Sequence, residues 1–353
     1  MKYILAIDSF KGCLSSAEVE EALARSLYKY GAEVVSITMS DGGEGMLEAF
    51  TGAMHGNIVE AQVHDPLMRP ITAQYGIAND GTAIIETSRA CGLTLMTEEE
   101  RNPMVATTYG VGELVAHAVK QGAQNFIIGL GGSGTSDVGI GMLKAMTDIF
   151  AKGETIDRVI KHTLKDCKFT LASDVRNPLY GENGAAQVFA KQKGANDEMI
   201  AKLDERAQRF AGFSYRHFGF DRSNASGAGA AGGLGYAFMQ YFGGKAVSGA
   251  DLLLDIIDFD RLIADADVII TGEGRADGQT LMGKLPERIL QRAKKHKIPV
   301  WLVAGQAKDK ERLLAAGFTK AVGITPEGMD MDEAMNPDVA KDNIRRWAET
   351  MKQ

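Results

Sequence analysis

Short apolar runs alternate with helical apolar stripes at both ends of the chain. Tyr3–Ile7 and Val34–Met39 read as strands, and between them Val19, Leu23 and Leu27 recur at helical spacing. Ser15 or Ser16 can cap that helix with Glu18 in its first turn, and Gly31 can stop it. Met46–Phe50 opens another helix. The C-terminal part repeats this texture. Val268–Thr271, Val300–Ala304 and Ala321–Ile324 predict strands, and Pro286–Ala293, Lys308–Ala316 and Val339–Met351 predict helices.

The middle reads differently. Ile58–His64, Ile71–Ala78 and Thr82–Glu86 are alternating or short apolar runs, punctuated by Asp65-Pro66 and Asn79-Asp80-Gly81, and predict an antiparallel meander. From Thr107 the alternation returns: helix at Leu114–Val119, strand at Phe126–Leu130, helix at Val138–Met146, strand at Phe169–Ser173. Residues 196–220 predict a mostly polar amphipathic helix. The glycine-rich stretch 227–244 still carries Leu234, Phe238, Tyr241 and Phe242 on one helical face. The fold class expected is α/β with two α/β domains. An outer, Rossmann- or flavodoxin-like domain, discontinuous over 1–65 plus 285–353, carries an inserted mixed α/β domain at 66–284.

Composition narrows the function classes. With 353 residues, 45% hydrophobic and 24% charged, the chain can bury full cores and stay soluble. A net charge of −7 without basic runs argues against a nucleic-acid surface. No window of about 18 apolar residues offers a membrane span, and the N-terminal apolar run is too short for a signal peptide and reads as a strand. Cys13, Cys91 and Cys167 are odd in number and lack metal-ligand spacing, which fits reduced thiols in a cytoplasmic protein. Cys13 has no histidine nearby in sequence to make it a nucleophile. His64, His117 and the other histidines have no metal-binding spacing and read as structural.

The chemistry concentrates where strands end. Val268–Thr271 feeds a loop with Gly272, Glu273, Gly274, Arg275, Asp277, Gly283 and Lys284; Tyr3–Ile7 runs into Asp8, Ser9, Phe10, Lys11 and Gly12; Phe126–Leu130 runs into Gly131, Gly132, Ser133 and Gly134. Loops at the carboxyl ends of α/β strands are where such folds bind ligands. Glycines let backbone N–H groups approach phosphate, while acids and lysines suit Mg²⁺ and phosphoryl oxygens. Lys11 can hold a carboxylate or a phosphate with Asp8 orienting it, or the pair can be a plain helix-start turn. Asp41-Gly42-Gly43-Glu44-Gly45, Glu86-Thr87-Ser88-Arg89 and Asp174 end three further strands. Each of these also has a bland reading as a turn, cap or surface ion pair. The stretch Gly131–Asp137 resembles a phosphate-cradling loop that opens a helix, yet it lacks the Lys-Ser/Thr of a Walker A motif. Gly129–Gly134 meets G-x-G-x-x-G literally and keeps an NAD(P)-dependent hydroxy-acid oxidoreductase open as an alternative. The acid such a site wants would be Asp148, which reads as helical.

Taken together, these loops resemble the bacterial type-1 glycerate kinase family. The matching stretches run in order: IDSFKG at 7–12, MSDGGEGM at 39–46, HDPL at 64–67, ETSRACGL at 86–93, NPMVATTYGVGEL at 102–114, GLGGSGTSDVGIGML at 129–143, ASDVRNPLYGENGAA at 172–186, FAKQKGA at 189–195, GAGAAGGLGYAF at 227–238 and ADVIITGEGRADGQTLMGK at 266–284. They span nearly the whole chain. There are departures: Ser136 and Val138 stand where the family usually has Asn and Gly, Ser173 and Arg176 where it has Cys and Thr, and Arg275–Thr280 differs from its usual RIDSQS. These bear on nucleotide or substrate preference.

The resemblance implies a cytoplasmic, ATP-dependent kinase of D-glycerate, with its active site in the cleft between two domains and 2-phosphoglycerate as the usual product. Some glycerate kinases make the 3-isomer. The implied roles are Asp174 as base with Asp8 second, and Lys11 or Arg89 on the substrate carboxylate with Ser9 beside the substrate. Lys284 and Arg275 would meet transferring charge, and Gly131, Gly132, Ser133, Gly134, Gly272, Glu273 and Gly274 would hold phosphate. Mg²⁺ would sit on Asp277 or Asp41. The partner is a small molecule, with no nucleic acid and no membrane, and the protein is expected as a monomer or homodimer.

Overall fold

The computed structural model describes residues 1–152 and 154–352. Its strands are β1 Lys2–Ile7, β2 Glu33–Ser36, β3 Asn57–His64, β4 Pro70–Ile77, β5 Ala83–Glu86, β6 Asn125–Gly129, β7 Lys168–Ala172, β8 Lys245–Val247, β9 Val268–Ala276, β10 Val300–Ala307 and β11 Lys320–Gly323. The helices used below are α1 Ser16–Tyr28, α2 Met46–Ala53, α3 Tyr109–Lys120, α4 Ile140–Phe150, α5 Asp197–Phe218, α6 Ala230–Phe242, α7 Leu285–His296, α8 Lys310–Ala316, α9 Met331–Ala334 and α10 Pro337–Glu349. No helix among the described residues is long and apolar enough to cross a membrane.

Two compact units form. The first joins residues 1–41 to the segment from 250 onward, and the second is 42–249. The first unit holds a parallel sheet in the order β11-β10-β9-β1-β2. Counted by appearance within the unit this is 2-1-3-4-5, the flavodoxin-like order, whose direction reverses between β1 and β9. Leu5, Ile7, Leu23, Leu27, Ile270 and Ile344 build its core. α1 starts where the sequence predicts: Ser15 accepts from the Glu18 N–H, and Glu18 reaches back to the Ser15 N–H.

The second unit holds a mixed sheet in the order β3-β4-β5-β6-β7-β8. β3, β4 and β5 are the predicted antiparallel meander, and β5 through β8 run parallel. Its core includes Tyr75, Phe126, Val115, Leu234 and Phe238, with the Phe126 and Phe169 rings stacked at 4.8 Å.

Five features differ from the sequence reading. The units divide at 41/42 and 249/250 instead of near 65 and 285. β9 lies in the first sheet, between β1 and β10, so its segment belongs there, while β3 pairs with β4. Strand pairing decides this, and a local pattern does not reveal pairing. β9 also runs on to Ala276, so Gly272, Glu273, Gly274 and Arg275 are strand residues instead of a loop. The short β8 is exposed along its length and offered no apolar pattern. α6 is broken at its start, where Ala231, Gly232 and Gly233 adopt left-handed backbone.

Candidate active site

In the first unit, the strand ends converge on one cavity of about 300 Å³. It lies where the sheet order reverses, at the carboxyl ends of β1, β9, β10 and β11. Asp8, Ser9, Lys11, Glu273, Gly274, Arg275 and Lys284, all singled out from the sequence, line it. The Asp8 N–H donates to the Gly272 carbonyl at 2.9 Å, and its Oδ1 accepts from the Ser9 N–H at 2.8 Å. Both residues are buried. The Asp8 carboxyl is pushed up to about 7, first by burial and then by the Asp41 charge, against Lys11 and the Ser9 N–H. Lys11 Nζ lies 3.2 Å from Asp41 Oδ2. Burial works against the Lys11 charge, but the fields of Asp41 and Asp8 outweigh it and raise its pKa above the ordinary lysine value.

Glu273 receives two donors at the end of β9. Its Oε1 accepts from Thr280 Oγ1 at 2.7 Å, and its Oε2 from Lys284 Nζ at 2.7 Å. Lys284 is the residue before the first turn of α7, with Pro286 close behind it. The buried Ser9 Oγ has no hydrogen-bond partner among the described residues, which leaves it able to donate to a ligand oxygen. Asp277, proposed from sequence as a metal ligand, accepts from the Gln279 N–H at 2.8 Å and caps a short helical turn at 278–281; Arg275 Nε lies 3.4 Å from its Oδ2.

In the second unit, the carboxyl ends of β5, β6 and β7 carry Glu86, the 131–134 loop and Asp174. The 42–45 loop lies across two of them. A Cβ at Gly42 would fall 2.7 Å from the Ala172 carbonyl oxygen, and one at Gly131 would fall 2.5 Å from Gly43 Cα. Only glycine permits this approach. Glu86 is buried at the N-terminus of α2, accepting from the Leu47 N–H at 3.1 Å and from Ser88 Oγ at 2.8 Å. Burial pushes its carboxyl up, offset in part by Arg89, Ser88 and Leu47. Arg89 is itself ion-paired, 2.6 Å from Glu48 and 3.5 Å from Glu86. Asp174 follows β7 and is exposed.

The Gly131–Gly134 loop does not open a helix. α4 begins at Ile140, and the Asp137 carboxylate accepts the N–H groups of Gly139 and Gly141 at its start. Asp137 also accepts from the Thr108 N–H at 2.8 Å and from the Thr108 hydroxyl. The helix dipole is thus met by a protein carboxylate, and the Gly134 N–H goes to the Cys91 carbonyl. This removes the Rossmann reading of G-x-G-x-x-G, and Asp148 sits within α4, paired with Lys144. His64 bonds Glu113 at 2.9 Å, and His117 bonds Tyr75 at 2.9 Å.

Sequence reasoning missed three buried polar groups. Lys193 is buried in the second unit and donates to the Thr135 carbonyl at 2.6 Å; burial lowers its pKa to about 8. Glu20 on α1 accepts from the Ile7 N–H at 3.1 Å, just before Asp8, and burial pushes its carboxyl up to about 8. Asn343 on α10 is 4% exposed and lines the first unit's cavity. Glu20 and Asn343 are polar residues on apolar helix faces, beside Val19 and Leu23 and beside Ala340 and Ile344, and that mismatch was readable. Lys193 gave no periodic signal.

A model of the glycerate kinase family matches residues 3–353. The chain belongs to that family. Among its relatives, a glycerate kinase of Bacillus subtilis (strain 168) is 37% identical over 354 aligned positions, covering 95% of this chain and 93% of the relative. A glycerate 2-kinase of Escherichia coli (strain K12) is 38% identical, covering 98% and 96%. A crystal structure described as a glycerate kinase 2 from Salmonella typhimurium LT2 superposes with a TM-score of 0.81 at 34% identity, covering 99% of this chain and 97% of that one. Membership makes the chain a kinase.

Proposed function

We propose that the protein transfers the γ-phosphoryl group of ATP to the 2-hydroxyl of D-glycerate. The observation that carries this is the charged end of the first unit's cavity. It combines a carboxyl titrating near neutrality, Asp8, with the cations Lys11, Arg275 and Lys284 and the unpartnered Ser9 hydroxyl. Phosphoryl transfer asks for positioning and charge neutralisation more than covalent chemistry. Asp8 is poised to take the proton of the attacking hydroxyl, because a base works best with a pKa near the working pH. Lys284 and Arg275 neutralise charge on the transferring group, and Ser9 donates to one of its oxygens. Lys11, which lines the same cavity, holds the substrate carboxylate, and Arg89 is the other choice. Asp174 is the other choice of base.

Mg²⁺ suits this reading. Among the described residues no three His, Cys, Asp or Glu side chains cluster closely enough to hold a metal by themselves. Asp41, a hard oxygen donor whose charge Asp8 feels, fits an ion that completes its shell with phosphate oxygens and water. When bound, the ion would neutralise charge on the nucleotide phosphates. Asp277 is the other candidate; it caps the 278–281 turn, and Asp41 pairs with Lys11.

The 2-position is supported by the name of the E. coli relative. The test is D-glycerate, ATP and Mg²⁺ with the purified protein, the product being resolved by ³¹P NMR. 2-Phosphoglycerate is expected. The 3-isomer would keep the kinase and overturn the position, and no turnover would overturn both. D8N is expected to lower kcat at least ~10²-fold. If D174N has that effect and D8N does not, Asp174 is the base.

A further inference from the structure

The cavity beside Asp8 has two unlike halves. One carries Asp8, Lys11, Glu273, Arg275 and Lys284. The other is walled by Phe10, Ile324, Met331, Met335 and Ala340, with Cys13 at its edge. The apolar half reaches past β10 toward β11, α9 and α10. A site for phosphate or glycerate alone has no use for such a wall, because both are hydrated anions. Ligand pockets pair apolar walls with a few placed polar groups when they hold a flat, mostly apolar body.

One such polar group stands in that wall. Asn343 is 4% exposed, and the thioether of Met329, 3.8 Å from its Nδ2, is the one side-chain partner its amide has among the described residues. A thioether is a weak acceptor, while a primary amide offers two donors and a carbonyl acceptor. The Asn343 amide therefore keeps hydrogen-bonding capacity for a ligand in the cavity it lines. The complement of an amide edge is another edge with a donor beside an acceptor, and adenine presents that pair at N6 and N7. Guanine presents two acceptors at O6 and N7, which cannot satisfy both ends of the amide. The side chains of Met331 and Met335 in the wall can adapt to a ring and make sulfur–aromatic contacts.

We propose that the apolar half of this cavity is the adenine pocket of the kinase, and that Asn343 reads the edge of the base. The inference rests on the kinase reading, but its test does not. Ligand and protein meet with the phosphates toward Ser9, Arg275 and Lys284 and the base between Phe10, Ile324 and Met335. Asn343 is a binding and specificity residue and takes no part in the transfer.

Two measurements test this in the full-length protein. In the first, alkylation of Cys13 by N-ethylmaleimide is followed by mass spectrometry with and without 1 adenosine-class probe, adenosine itself, and separately with inorganic tripolyphosphate, taking about tenfold slowing as the threshold. Cys167, partly exposed in the other unit, is the internal reference. Adenosine is expected to slow labelling of Cys13 and leave Cys167 unchanged. Unprotected Cys13 at saturating adenosine would overturn the proposal, and this outcome can be read even if the protein phosphorylates nothing. In the second, N343L and A340F are assayed with ATP and GTP. N343L is expected to raise the KM for ATP about tenfold or more and to erase the preference for ATP over GTP, with the KM for D-glycerate unmoved; A340F fills the pocket and raises the KM for both nucleotides. An unchanged KM for ATP in a folded A340F would place the base elsewhere. Absence of turnover in the wild type, with adenosine still protecting Cys13, would sink the phosphotransfer reading and leave the pocket standing.

Discussion

Lys284 Nζ lies 2.7 Å from Glu273 Oε2, tying the start of α7 to the end of β9 at the mouth of the charged cavity. Glu273 is 7% exposed, so removing the lysine leaves a buried carboxylate with Thr280 as its remaining side-chain partner. K284M is expected to lower stability by about 1–3 kcal/mol, because a buried charge loses its cation. It is also expected to lower kcat at least ~10²-fold. The double variant E273Q/K284M should regain the stability and not the activity. Thermal unfolding and a coupled ADP-release assay read the two quantities separately. If the double variant recovers turnover, Lys284 acts only by neutralising Glu273.

Asp8 carries the pH dependence. Its carboxyl titrates near 7 because burial and the Asp41 charge disfavour ionisation. As a base it must be ionised, so kcat/KM for the free enzyme should fall as pH drops through about 7. Removing the Asp41 charge removes a like charge and favours ionised Asp8. D41N is therefore expected to move the acid limb to lower pH, whatever it does to the maximum. A limb that stays in place in D41N would show that another group governs it.

Glu20 governs stability and not catalysis. Its carboxyl titrates near 8 in the folded protein and near 4.5 as the ordinary value. The folded state therefore binds more protons than the unfolded state between those values, and stability falls as pH rises through that window. E20Q keeps the acceptor for the Ile7 N–H and cannot ionise. Urea unfolding between pH 5 and 8 should show a wild-type loss that is smaller in E20Q by about 2–4 kcal/mol, the remainder coming from Asp8, whose carboxyl is raised in the same sense. Equal slopes in the two proteins would mean that Glu20 is ionised and solvated.

Two left-handed residues pack together in the second unit, where the Val138 N–H donates to the Gly232 carbonyl at 3.1 Å and Ala231 precedes it. Val138 has φ +57° and Ala231 φ +51°. Left-handed backbone costs an L-residue roughly 1–2 kcal/mol. A231G gives up one methyl and is expected to gain ~0.5–1 kcal/mol. V138G relieves similar strain but deletes a side chain that is 2% exposed, worth about 1.5–3 kcal/mol, and should lose stability on balance. Calorimetry of the pair checks the signs. A destabilised A231G would show that the left-handed turn is not strained.

Much of the cavity's lining was legible in the sequence. Asp8, Ser9, Lys11, Glu273, Arg275 and Lys284 could be picked out because acids, bases and glycines crowd the ends of apolar runs. Asp277 and the Gly131–Gly134 loop carried the same signal; Asp277 caps the 278–281 turn, and the helix after the loop starts only at Ile140. Local composition marks where a chain turns. It does not tell whether a carboxylate there meets a ligand or the protein's own N–H groups.

The sequence by itself determined the elements, the α/β class and the family, because each rests on information local to a few residues or on motifs in fixed order. Period-two and period-3.6 patterns report which face of a segment is buried, and capping residues report where a helix starts. Only the tertiary structure decided that β9 sits between β1 and β10, and with that the unit boundaries at 41/42 and 249/250. Only it set Asn343 and Asp8 on the same cavity, from positions more than three hundred residues apart in the chain. Pairing and enclosure are relations between distant segments. Their free energy comes from shared ladder hydrogen bonds and jointly buried surface, and no window of the chain contains both partners.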